Sequence, residues 1–226
     1  MPSIYQLQLG ADFQKLHPRI QERLAFRSAD HRAFVGEGVM EQVWHGPFFT
    51  QPFLRAGLSR HITFPEAGRN VPFRIENYAY RDPLGRETVT WIRRFAFPRH
   101  TRCFDATMVH SAARNCIVDY LGTHQHVAVD IELAVTARGG LRLRSGAQRF
   151  HEGRLSFGLP KFLAALADVE EWYDDEADCY RIQVEVRNPI VGRLFGYQGS
   201  FRSTWQHLPP EQIPAHALPL RYESRA

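Results

Sequence analysis

Between Val71 and Trp205 the chain repeats one pattern: a short run of alternating apolar and polar residues, then a reversal, at intervals of about ten residues. The alternation is cleanest in HVAVDIELAV, where Val127, Val129, Ile131, Leu133 and Val135 point one way and His126, Ala128, Asp130, Glu132 and Ala134 the other. Ile182, Val184 and Val186 alternate likewise with Arg181, Gln183, Glu185 and Arg187, and Leu141 and Leu143 with Arg142 and Arg144. A strand with one dry face must bury that face against a sheet, and here the sheet itself is the main source of partners. Strands are expected in VPFRIENYAYR, ETVTWIRRFAF, RCFDATMVH, CIVDYLG, HVAVDIELAV, GLRLRSG, QRFHEGRLSF, DVEEWYD, CYRIQVEVR and GYQGSFRSTW. Turns are expected at Asp82 to Gly85, Ser111 to Arg114, Arg138 to Gly140 and Asp174 to Asp178, where Gly, Pro, Asp or Asn suit tight reversals. Such a series predicts a mainly β protein: an antiparallel, barrel-like shell of about ten strands, calycin-like in the manner of lipocalins or fatty-acid-binding proteins, with a few short helices. The alternative is an α+β sheet wrapped around a helix.

The flanking segments read differently. Leu16 to Phe26 predicts a short helix, with Pro18 in its first turn and Leu16, Ile20 and Leu24 on one face. AFVGEGVMEQVWHG reads as a first strand loosened by Gly36 and Gly38, and Gln51 to Arg60 as a helix with Pro52 in its first turn. GLPKFLAALA is expected to be a helix from about Pro160 to Ala167 that covers one end of the shell, since Phe162, Leu163 and Leu166 cluster at helical spacing. With 226 residues and 44% hydrophobic content the chain is expected to form one domain over 1–226, comprising a core of about 16–205 and a Pro-rich extended tail over 206–226.

No apolar run is long enough for a transmembrane segment and the first residues lack the succession of a signal peptide, so a cytoplasmic location is expected. Cys103, Cys116 and Cys179 form no CxxC pair and are expected to be free thiols, with Cys116 opposite Met108 rather than Cys103. The net charge is +4, but the Arg residues are scattered among carboxylates, which argues against nucleic acid as a partner.

Four residues are candidates for chemistry. Asp105 and Asp119 are single acids inside apolar strands, where each needs a partner such as Arg93, Arg94 or Arg149, and would act as a general acid or base only in a cleft that raises its pKa. His124 and His126, two apart, would share a face of a strand and could present two imidazoles to one metal, with His110, Asp105, Asp119 or His151 as a third ligand; solvent-exposed histidines on the wet face are the competing reading. For ligand binding, Arg93 and Arg94 are adjacent, so a two-sided strand must turn one of them inward, where its planar fork could grip an anionic head while Trp91 stacks on an apolar body. Tyr120, Arg149, Asp105, His124 and His126 complete the expected pocket wall. The acidic run from Glu170 to Asp175 reads as a solvated hairpin tip without the ligand spacing of a calcium loop.

The blocks GRETVTWIRRFAF, RCFDATMV, IVDYLGTHQHVAVDIEL, GGLRLRSGAQRF and EWYDDEADCYRIQVEVRNPIVGRLFGYQGSF resemble the bacterial family known as domain of unknown function 4166, from about Leu16 to Trp205. The resemblance implies a domain found alone or fused to a saccharopine-dehydrogenase-like reductase, which makes such a reductase a candidate partner. The chain has no GxGxxG loop between a strand and a helix and calls for no cofactor of its own. Three functions compete: a barrel binding a hydrophobic or amphipathic small molecule, an anionic lipid-like one among them; a small-metabolite enzyme using the His/Asp cluster; and an accessory module of a nicotinamide-dependent reductase.

Overall fold

A computed structural model of the chain describes residues 1–160 and 162–226. Among the described residues eleven strands form one antiparallel sheet. They are β1 (Arg32–His45), β2 (Gly68–Arg81), β3 (Glu87–Ala96), β4 (Thr101–Ser111), β5 (Cys116–Leu121) and β6 (Val127–Val135). After them come β7 (Leu141–Glu152), β8 (Leu155–Gly158), β9 (Leu166–Asp174), β10 (Cys179–Asn188) and β11 (Gly192–His207). Each strand from β1 to β7 pairs with its successor, β7 pairs with β9, and β11 returns to β1, so ten strands close an up-and-down barrel. The eleventh, β8, is a hairpin flap on the upper part of β7.

Closure falls on the two longest paired strands. At this seam β1 and β11 are pressed together: a Cβ on Gly38 would lie 2.0 Å from the Ser200 carbonyl oxygen, and one on Gly199 would lie 2.2 Å from that of Val39. A register shift between Val39 and Gln42 bends β1 at the same place, which is how a long strand follows a barrel wall.

The dry faces predicted from alternation turn inward, and Val129, Ile131, Leu143, Ile182 and Val184 join one buried core. The outer faces carry ion pairs, among them Arg74–Glu76–Arg94, Arg142–Asp168 and Arg114–Asp130–Arg149, where a wall facing lipid would be apolar. No described helix is long and apolar enough to cross a membrane. Residues after β11 strap across the outer face of β2 to β5: Ala217 sits among Tyr78, Tyr80 and Ile92, and the Tyr120 hydroxyl donates to the Arg225 carbonyl.

One end of the barrel is plugged. A first helix, α1 (Ile4–Leu9), starts at a capping box in which Ser3 and Gln6 satisfy each other's backbone N–H groups. Its Tyr5 reaches into the barrel and donates to Met108 Sδ. The next helix, α2 (Pro18–Ala25), begins as its proline predicts and lays Ile20 and Leu24 on the core. From the same face Arg23, 1% exposed, enters the barrel, pairs with Glu171 of β9 and donates through Nε to Asn77 Oδ1 at 3.0 Å. Its guanidinium lies over the rings of Phe34 and Trp91, 4.5 and 4.7 Å from their centroids. Burial pulls the Arg23 pKa down to about 10.

Three sequence expectations need correction. Leu159 to Ala165 contains a turn rather than the helix expected over Pro160 to Ala167, one position of which, Lys161, lies outside the described residues; β9 takes over at Leu166 because β10 offers it ladder partners there. The helix at Gln51 to Arg60 stops at Ala56 as α3 (Gln51–Ala56), followed by a 3₁₀ turn at Leu58–Arg60. Cys116 faces Ser111, not Met108, because the turn over Ala112 to Asn115 is centred after Ala113 and not at Ala112, and Met108 faces Asp119.

Removing one member of a buried ion pair strands the other, at a cost of about 3–5 kcal/mol. Arg23→Met is therefore expected to lower stability by that amount in urea unfolding, and Arg23→Met combined with Glu171→Leu to recover most of it. Equal losses in the single and double variants would show that the pair does not anchor the plug.

Candidate functional site

The unplugged end leads into an apolar cavity of about 320 Å³. Inward residues of β3 to β7, β9 and β10 line it, with Trp91 and Met108 toward the plug and Phe53, Ala56 and Ile62 toward the open end. Its opening follows from a fork in the sheet. The lower part of β7 pairs with β9 as far as Arg144 and Asp168, but the upper part pairs with β8, so β7 and β9 part company near the top. Side chains replace the missing ladder there: Gln148 exchanges two hydrogen bonds with the Ala165 backbone, at 2.7 and 3.1 Å, and the Ala167 N–H donates to Ser145 Oγ at 3.0 Å.

Those bonds decide which lining groups remain for a ligand. Gln148 and Ser145 are spent on the fork, and the Thr63 hydroxyl donates to the Leu54 carbonyl at 2.9 Å. Arg93 and Asp119 remain. Arg93 donates through Nε to the Phe104 carbonyl at 2.9 Å and through Nη1 to the Tyr197 hydroxyl at 3.3 Å, which engages two of five N–H donors. Its guanidinium stacks 4.0 Å from the Phe104 centroid. Asp119 Oδ1 is buried without a hydrogen-bond partner. Burial raises the Asp119 pKa to about 7, against the opposing pull of the Arg93 charge. An unpaired acid and a part-engaged cation in an otherwise apolar chamber can take up a polar group on an apolar body.

Of the other predicted site residues, the structure keeps Trp91 with this pair and separates the rest. Trp91 and Arg93 face the cavity, but Arg94, one residue on, faces outward to Glu76 at 2.9 Å. Tyr120 and Arg149 also belong to the outer face, which corrects their expected place in the pocket wall. Arg149 pairs with Asp130; burial alone would raise that acid, but hydrogen bonds from Arg149 and Arg114 outweigh it and hold it at about 2. His124 and His126 precede β6 instead of lying on it, because Gln125 between them has φ 53° and breaks the alternation. His124 Nδ1 meets the Thr123 hydroxyl at 2.8 Å, whereas His126 engages Arg60 through Nδ1 and Glu152 through Nε2. Burial and then the Arg60 charge lower the His126 pKa. These engagements leave the two rings no common ion to share; His110 lies apart on β4, and His151, whose backbone N–H donates to the His126 carbonyl at 2.8 Å, meets the Ser156 hydroxyl through Nδ1.

Asp105 also faces outward, where it joins two residues that sequence reasoning did not group with it. His61 Nδ1 lies 2.6 Å from Asp105 Oδ2, and Cys103 completes a set whose ligand atoms all lie within 4.8 Å of one another. Among the described residues this is the group with metal-ligand spacing. Three ligands of N, S and O type would leave an open position, as in zinc sites that do chemistry. Two features oppose a cation: burial raises the Cys103 thiol pKa, and Arg94 stands directly across from Cys103 on β3. The hydrogen bond that His61 donates to the Asp105 carboxylate raises the His61 pKa, which favours an ion pair of the two without a metal.

The missed pair of the plug, Arg23 and Glu171, had one legible trace: Arg23 stands three residues after Ile20 on the apolar face of its helix. Glu171 had none, since it sits in an acidic run whose neighbours face solvent.

Fold and chamber together define a closed antiparallel β-barrel with an apolar interior, shut at one end by its own helices. The chain matches the family described as Domain of unknown function (DUF4166) over residues 16–201, and it belongs to that family. It is 30% identical over 202 residues to the uncharacterized protein YndH of Bacillus subtilis (strain 168), which covers 89% of this chain and 97% of that protein. No solved structure matches.

In the unfolded chain an aspartate titrates near about 3.9, while Asp119 in the fold does so at about 7. Between those values the native state holds a proton that the unfolded state has released, so stability should fall as pH rises through this window and stay low above it. Asp119→Asn should flatten that fall and exceed the parent at pH about 8 by no more than about 4 kcal/mol, the two converging near pH 4. Denaturant midpoints measured across pH would check this, and an unchanged slope in the variant would refute it.

Proposed function

We propose that the chain binds an apolar or amphipathic small molecule inside the barrel, with the polar group of that molecule at Arg93 and Asp119. The observation that carries this reading is the coincidence of an apolar cavity with two charged side chains whose hydrogen-bonding capacity is not exhausted. Natural ligand sites have this composition: a large apolar lining and a few converging polar groups that fix orientation. Arg93 suits an anionic head, and the neutral form of Asp119 can donate to the same head, so the pair favours a carboxylate or sulfonate at or below neutral pH.

A second reading rests on the same acid. An aspartate poised near neutrality in a water-poor cavity can take or give a proton at physiological pH, which is the property a general acid or base needs. On this reading Asp119 would be the residue that reacts, with Arg93 orienting the substrate, and the histidines at the open end would have no part.

Two fluorescent probes separate the features of the site: anilinonaphthalene sulfonate, which is anionic, and N-phenylnaphthylamine, which is neutral. Both are expected to bind saturably, and Val129→Trp, which fills the cavity, is expected to abolish both. Arg93→Met should weaken the anionic probe about tenfold or more and leave the neutral one nearly unchanged, the difference a charge-assisted hydrogen bond makes. Binding of either probe that survives Val129→Trp would place it elsewhere and sink the proposal.

A further inference from the structure

Most of the large apolar side chains that the fold leaves in water are gathered at one end, Met1, Leu7 and Leu84 being exposed at the other. Phe48 and Phe49 follow β1, Phe53 lies on α3, Leu155 and Phe157 on β8, Phe162 and Leu163 in the turn before β9, and Ile190 and Val191 in the turn between β10 and β11. Three of them are exposed to an extent that no packing explains: Phe48 at 85%, Ile190 at 67% and Phe162 at 62%. All of these segments sit at the open end, and Asn188 ties two of them together by donating to the Phe162 and Ala164 carbonyls at 3.0 and 2.8 Å. The elements that carry Phe53, Leu163 and Phe157 also border the cavity or its fork. An apolar rim around a cavity mouth marks an interaction surface.

Charge identifies the partner. Among the described residues Arg55, Arg99 and Arg154 are exposed at this end without an ion pair, while Arg187 and Arg193 share the single carboxylate of Glu185. The acidic turn at Asp174 to Asp178 lies at the opposite, plugged end, between β9 and β10. The molecule therefore presents aromatic and aliphatic side chains with unpaired arginines among them at one pole, and an acidic turn at the other. That is the arrangement of a protein surface that enters the interface of an anionic bilayer: apolar side chains reach the acyl boundary and the cations meet the headgroups.

We propose that the open end of the barrel docks on anionic lipid membranes, placing the cavity mouth against the bilayer. The purpose of the docking rests on the binding reading above, since a mouth seated in lipid exchanges an apolar molecule without passing it through water. The docking itself rests on the rim.

Cosedimentation with vesicles tests it. The whole chain is expected to bind vesicles of phosphatidylcholine mixed with phosphatidylglycerol and to bind those of phosphatidylcholine alone at least tenfold more weakly. Raising salt from about 0.1 M to about 1 M, which shortens the screening length from about 10 Å to about 3 Å, should release most of the protein. Phe162→Asp with Ile190→Asp should cut binding about a hundredfold, roughly tenfold for each apolar anchor. Arg55→Glu with Arg154→Glu should remove the preference for the anionic vesicles. These residues are exposed, so thermal unfolding and anilinonaphthalene sulfonate binding without vesicles should match the parent. Failure to bind anionic vesicles, or binding untouched by the Phe162 and Ile190 changes, would overturn the proposal. So would loss of a self-associated species or of a reductase complex in those variants in place of vesicle binding. Vesicle binding by a protein whose cavity refuses the probes leaves docking standing and removes the binding reading; probe binding without vesicle binding does the reverse.

Discussion

The pairing of Arg23 with Glu171 is the interaction on which the rest of the molecule depends, because it is where the N-terminal helices are held inside the barrel. Ten strands enclose more space than side chains of the wall fill by themselves. The plug takes up part of that space with Tyr5, Arg23 and the rings around the guanidinium, and Trp91 is the partition. Putting a charge there is costly in desolvation, which the paired carboxylate, the Asn77 amide oxygen and four aromatic faces offset. What the plug leaves is a chamber with a definite floor and one way in.

The chamber and its entrance are consequences of two local choices in the sheet. In the cavity wall, β3 and β5 each turn an ionisable residue inward, Arg93 and Asp119, where an apolar residue would have packed at less cost. At the top, β7 abandons β9 for β8 and the gap is laced by glutamine and serine side chains instead of backbone. Both departures from an ideal barrel fall on the same cavity, and local departures from ideal geometry and packing tend to collect where a protein functions.

How much of this could be read in the sequence depended on the physical range of each signal. Period-two alternation is local, so strands such as Val127 to Val135 and the inward faces of Ile182 and Leu143 were legible, and so was the rule that Arg93 and Arg94 must point apart. Which of the two points inward depends on the pairing of β3 with β2 and β4, which no local pattern encodes. For the same reason Asp105 and Asp119 look alike in sequence yet face opposite sides of the wall. The helix expected at Pro160 to Ala167 failed because its apolar spacing reflects two separate demands: Leu163, Ala165 and Ala167 line the cavity while Phe162 and Leu166 face out. The His124 and His126 pair failed because a single left-handed residue, Gln125, ends the strand periodicity on which the argument stood.

The seam between β1 and β11 has a further consequence, for how the chain reaches its fold. Arg32 pairs with His207 and His45 with Phe195, so the first strand to be made finds its second neighbour only when the last has been made. Every other barrel pairing except that of β7 with β9 joins consecutive strands, so a growing meander can form early while its two edges stay open. The final step must bring together the most distant parts of the sequence, and contacts of that kind make folding slow. Until it occurs, β1 presents an unpaired edge, with Gly36 and Gly38 weakening it as a template for foreign strands. The glycines that allow the closed seam its tight approach thus also moderate the hazard of the open one.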